Sequence, residues 1–374
     1  MKKYILILLP LLLLFASCKK EKETPPISST VASGSNAMIL DEFEGLPIII
    51  VGNQKNQFIT GFERTLEDGT LLDFTLLQQS LPLILEDTEG NKWDIFGRAK
   101  EGPRTGESLK SVNGYIGFWF AWGSMYPGVT LYDGPEYSGD YVPEENGQNW
   151  TIPTNNVFAV LSQDAIPAVD APVFEEYDNR IFIETGEYFL EEDDMVTGVA
   201  VGNEIRLYPH RVLNWHEVVN DQIDDFEFSL SFCPITGTSV LWDRNINGIT
   251  TTFGVSGLLY NGNVIAFDRE TESLWSQMKQ SCVNGNLSGT DMDTRQVFET
   301  TWSSWKLILN SQNVMTTETG FSKDYSINPY EEYLSDDSHL SYPVSYKDER
   351  IPLKERVFGL IVNGKAKVYQ FKDF

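Results

Sequence analysis

The sequence predicts a β-rich α+β protein with few helices, built from two related copies of a mixed β-sheet unit. Short apolar or alternating runs bounded by Gly, Asn and Asp recur along the chain. A Trp, a Gly-x-x-x-Gly loop and a Trp-x-x-Trp recur at matched spacing, and a strand–turn–strand pattern occurs twice.

The chain opens MKKYILILLPLLLLFASC. Lys2 and Lys3 precede an apolar run, Ile5 to Phe15, that is too short for an ordinary membrane span, so residues 1–17 read as a cleaved signal peptide. Phe15-Ala16-Ser17-Cys18 resembles a bacterial lipobox, which predicts acylation of Cys18. The expected location is the cell envelope, outside the cytoplasm, with the lipid bilayer of the outer membrane as the anchor. Residues 18–36 are charged and Pro/Ser-rich. They bury too little surface to offset their ordering entropy and read as a disordered tether.

Residues 37–134 form the first copy. It reads FITGFER (58–64), EDTEGNKWDIFGRAKEGPRTGESL (86–109) and FWFAWGSMYPGVTLYDG (118–134). The second copy, 196–374, reads VIAFDRETESLWSQMKQSCVNGNLSGTDM (264–292) and TWSSWKLILNSQNVMTTETG (301–320). Trp93 matches Trp275, Gly102 and Gly106 match Gly285 and Gly289, and Trp119 and Trp122 match Trp302 and Trp305. Phe62-Glu63-Arg64 is paired with Phe267-Asp268-Arg269. The tryptophans are expected in the core, with sugar stacking as the alternative. Residues 135–195, rich in Pro, Asp and Glu, connect the copies. The Val196–Tyr208 and Val357–Tyr369 segments each read as a hairpin, and the last is expected beside its earlier twin. Tyr208 to Asp221 is the best predicted helix, with Pro209 in its first turn.

The formal net charge of −26 argues against nucleic acid and against docking on anionic lipid. The 41% hydrophobic and 13% aromatic content is ample for real cores. Beyond Cys18 only Cys233 and Cys282 remain, enough for one disulfide or none.

Two of the three histidines, His210 and His216, lie close in sequence to Cys233. His216-Glu217-Val218-Val219-Asn220 falls one residue short of the zinc-peptidase pattern, because Asn220 stands where the second histidine belongs. His210 sits six residues from His216 and points elsewhere on a helix. Three readings of Cys233 stay open. It is a buried structural thiol, or a ligand with His210 and His216 for copper or zinc. As the third reading it is a nucleophile with His216 as base and Glu217 or Asn220 as orienter. The functional alternative is a non-catalytic envelope module that binds a glycan or protein partner.

The runs DAIPAVDAPVF, YPHRVLNWHEVVND, FCPITGT, FGVSGLLYN, DRETESLWSQ, TWSSW and KERVFGLIVNGKAKVY resemble the bacterial and archaeal "domain of unknown function 3179" family, over roughly residues 45–370. The resemblance implies no activity. Similar proteins often carry Cys-Pro-Leu-Cys-Gly where this chain has Cys233-Pro234-Ile235-Thr236-Gly237, so the motif here holds no dithiol.

Overall fold

A computed structural model describes residues 34–178, 189–309 and 311–374. The leader, Cys18 and most of the tether lie outside the described residues. The body is β-rich, and among the described residues the α-helices are short: α1 (Trp119–Met125), α2 (His210–His216), α3 (Trp302–Ile308) and α4 (Glu331–Ser335).

Two antiparallel meanders supply much of the core. One runs through Ala37–Phe43, Leu46–Asn53 and Phe58–Glu63. The other runs through Val218–Ile223, Phe226–Cys233 and Thr238–Asp243. Their centres are β-branched and aromatic, which suits a pleated buried surface. Each is followed by a further antiparallel sheet. In both, a tryptophan indole donates to a buried aspartate: Trp93 to Asp87 and Trp275 to Asp268, each at 2.9 Å. Asp87, rather than Glu63, thus does in the first region what Asp268 does in the second. An aspartate that accepts a buried N–H has to sit beside its tryptophan, and the Phe62-Glu63-Arg64 pairing misses that.

Two further sheets share a strand order. Gly114–Phe118, Arg356–Val362, Lys365–Gln370 and Thr130–Leu131 lie side by side, the last pair parallel. So do Phe298–Thr301, Met195–Val201, Glu204–Pro209 and Ser311–Met315, with the last pair again parallel. The C-terminal hairpin therefore belongs to the sheet of the N-terminal region, not to that of the Met195–Pro209 hairpin. The reason is a socket. A Cβ built on Gly359 would lie 2.3 Å from the Trp122 ring, and one on Gly198 would lie 2.3 Å from Trp305. Each hairpin offers a bare backbone to one tryptophan of a Trp-x-x-Trp helix, and each tryptophan has one hairpin to fill. Tyr369 then donates to Asp41 at 2.7 Å, as Tyr208 does to Asp221 at 2.6 Å. All of Trp93, Trp119, Trp122, Trp275, Trp302 and Trp305 are buried, as core residues should be.

The helix predicted over Tyr208–Asp221 covers only His210–His216. Glu217 takes a left-handed conformation, φ 58°, and closes it. Val218 and Val219 then enter a strand, where β-branched side chains pack better than on a helix. Residues 179–188 of the predicted connection lie outside the described residues.

Candidate ligand cavity

The left-handed turn at Glu217 scatters the residues that a continuous helix would have aligned. His216 is fully buried. Its Nδ1 lies 2.7 Å from the Pro167 carbonyl and so carries the proton, which leaves Nε2 to accept from the Tyr325 hydroxyl at 2.7 Å. Burial lowers its pKa, and neutral imidazole fits both bonds. Asn220 binds Phe253 through both its amide and its carbonyl. Glu217 is buried and accepts from the Tyr330 hydroxyl at 3.0 Å; burial raises its carboxyl to about 7.

Cys233 is buried, with its thiol 3.7 Å from the Gly262 carbonyl. Burial, then the nearby Glu217 charge, pushes the thiol up to about 11. That is the opposite of the electropositive setting that activates a cysteine. Neither histidine has Cys233 among its hydrogen-bond partners. Among the described residues no three His, Cys, Asp or Glu side chains gather where they could hold a metal ion, so the donor set does not fit the copper or zinc expectation. Cys233 and Cys282 are both free.

Asn214, Trp215, His216 and Glu217 share another task. Asn214 and Trp215 bond Asn328 and Ile327, while His216 and Glu217 bond Tyr325 and Tyr330. The four clamp one long strap, residues 316–355, that also contains α4. Beneath the strap lies a cavity of about 520 Å³. Its walls include Phe118, Phe232, Pro234 and Leu334, and its polar floor is His210, Glu299 and Arg356.

His210 Nε2 lies 2.9 Å from the Thr197 hydroxyl and 4.0 Å from Glu299 Oε2. Its ring packs on Phe232 at 4.3 Å. Burial, then the Arg356 charge, lowers it to about 3, so it is neutral at physiological pH. Glu299 is 2% exposed. Arg356 donates to Oε2 over a long 3.4 Å, and Oε1 has no hydrogen-bond partner. Burial raises the carboxyl to about 7, although the Arg356 charge and then the Ser239 hydroxyl and amide, which approach it outside hydrogen-bond geometry, pull it down. Arg356 also donates to Gln57 at 3.1 Å and stacks 5.1 Å over the Phe371 ring.

His210 was visible in the sequence as a scarce residue type; Glu299 and Arg356 were not. A signal for them existed. Glu299 and Ile116 each stand three residues before the first tryptophan of a Trp-x-x-Trp. Arg356 and Met195 each open the first strand of a hairpin, paired with Phe118 and Thr301. His210 and Phe371 each follow the second strand of a hairpin. The first of the two sheets that share a strand order thus has Ile116 and Phe371 where the second has Glu299 and His210, and the second has Met195 where the first has Arg356.

The family described as protein of unknown function (DUF3179) matches residues 163–374, more than half of the chain, and the chain belongs to that family. The matched stretch contains His210, Glu299 and Arg356. No curated protein and no solved structure matches.

Proposed function

We propose that this DUF3179 protein is a cell-envelope lipoprotein whose body binds a small polar molecule in the His210–Glu299–Arg356 cavity. Its two regions are read as related copies that share one polar floor, with Glu299 and His210 from one and Arg356 from the other. The observation that carries the reading is Glu299 Oε1, a buried carboxyl oxygen with no donor. Such a group costs about 1–3 kcal/mol while unsatisfied. A bound molecule that donates to it offsets that cost. The matching positions with Ile116 and Phe371 support the same reading, because the scaffold tolerates buried apolar residues there. Neutral His210 would accept or donate one hydrogen bond, and Arg356 would hold the ionised form of Glu299 in place. The strap would limit access of water.

To test it, protein purified without denaturation is dialysed against a small-molecule extract, and retained molecules are identified by mass spectrometry. A molecule kept by wild type and lost from H210F/E299I supports the reading. Equal retention by both proteins, or none by either, sinks it. The anchor is tested separately: C18A should move the protein from the membrane fraction to the soluble one, and unchanged fractionation rejects lipidation. The expected glycan or protein partner and the metal have no observation that favours them over this cavity.

A further inference from the structure

We propose that the cavity under the strap selects a small organic cation, an alkyl amine, with the ammonium group seated against Glu299. This rests on the cavity being the ligand site.

The charges facing the cavity are unbalanced. Glu191, Asp193, Asp194, Glu299 and Glu331 line it, against only Arg211 and Arg356. Arg211 is taken by Asp194 at 2.5 Å and Glu191 at 3.0 Å. Arg356 is taken by Glu299 and Gln57. Among the described residues Asp193 and Glu331 have no cationic partner, so the mouth keeps negative charge. A cleft lined by one sign of charge focuses the field and concentrates ligands of the opposite sign. At the floor, Glu299 Oε1 is an acceptor without a donor, and neutral His210 adds no repulsion. An anion would instead meet four rim carboxylates before reaching an arginine that is already bonded. Phe118, Phe232 and Leu334 supply walls for an alkyl chain and a π face for the cation.

Seating an ammonium beside Glu299 favours its ionised form, so binding below the carboxyl's raised pKa of about 7 releases a proton from it. The ammonium itself is already charged and takes none up. The other groups facing Glu299, namely Arg356, His210, Thr197 and Ser239, keep their protonation state at that pH.

The test is calorimetry on the full chain with putrescine and, as a four-carbon dianion of similar length, succinate. It is run at pH 6 in two buffers of different ionisation enthalpy. Putrescine should bind with release of about one proton. E299Q should bind it at least about tenfold more weakly and release none, since a charged hydrogen bond is lost. D193N, exposed at the rim, should weaken binding about two- to fivefold and lessen its salt dependence. Succinate binding in place of putrescine, or putrescine binding unchanged in E299Q and D193N, overturns the assignment. So does binding of neither. In those cases the retention experiment still decides separately whether the cavity holds a ligand at all.

Discussion

The Trp122 and Trp305 sockets and the three cavity-floor positions near them behave differently, and the difference separates framework from site. Both sockets are met by a glycine, Gly359 or Gly198, at the same 2.3 Å virtual Cβ distance. Both regions tie a tryptophan to an aspartate and a tyrosine to another aspartate. Packing geometry constrains these features alike. The floor positions are not alike: Ile116 and Phe371 of one sheet answer to Glu299 and His210 of the other, and Met195 of the second answers to Arg356 of the first. Buried polar groups are expensive unless fully satisfied, and Glu299 Oε1 is not. A framework that holds together with apolar residues at one place does not need the polar set at the other.

The largest expected effect tests the shared part. G359A and G198A should each destabilise the protein by about 2–4 kcal/mol, because a methyl group cannot enter a filled tryptophan socket without moving it. Urea unfolding measures this. A loss at one position and none at the other would break the correspondence between the regions.

The next effect concerns the floor. Glu299 and Glu217 both have carboxyls raised to about 7. A raised acid lends its stability below its unfolded pKa, near 4.5, and that stability is lost as pH rises through 7. His210, lowered to about 3, works the other way. Its contribution is intact above 6.5 and is lost as pH falls toward 3. Stability should therefore decline from about pH 5 to 8.5, by on the order of 3 kcal/mol for Glu299 alone. E299Q should flatten that limb by this amount, and a limb equally steep in E299Q would contradict the assignment.

These two effects also mark what was legible in the sequence. The paired tryptophans, the Gly loops and the twin hairpins could be read directly, since packing of large rings needs fixed spacing. The partner of the last hairpin could not, because Gly359 and Gly198 suit either Trp-x-x-Trp equally well on paper. The extent of the helix after His210 was misjudged because Val218 and Val219 fit a helical stripe and a strand alike, and only the left-handed Glu217 decides between them. His210 was found, but it was grouped with His216 and Cys233 by nearness in sequence. Its real neighbours, Glu299 and Arg356, lie 89 and 146 positions away. No local pattern announces such a meeting. A position-by-position comparison of the two regions would have exposed it.

Smaller effects concern the strap and the thiol. H216A removes the bonds to Pro167 and Tyr325 and should cost about 1–3 kcal/mol. It should also speed proteolytic cleavage within the strap, since the clamp on Tyr325 goes. Unchanged cleavage would mean that the strap is held by other contacts. Cys233 should react with an aromatic disulfide far more slowly in folded protein than in urea at pH 8, as a buried thiol raised to about 11 must. Fast reaction in the folded state would restore the nucleophile reading.

The most direct measurement is the thermal midpoint of the triple substitution H210F/E299I/R356M, which gives the floor the residues found at the matching positions. The midpoint should equal or exceed that of wild type, because an imperfectly satisfied buried ion pair is often replaced by apolar residues without loss. A midpoint lower by more than about 5 °C, roughly 3–4 kcal/mol for a chain of this size, would contradict it and make the polar floor part of the framework.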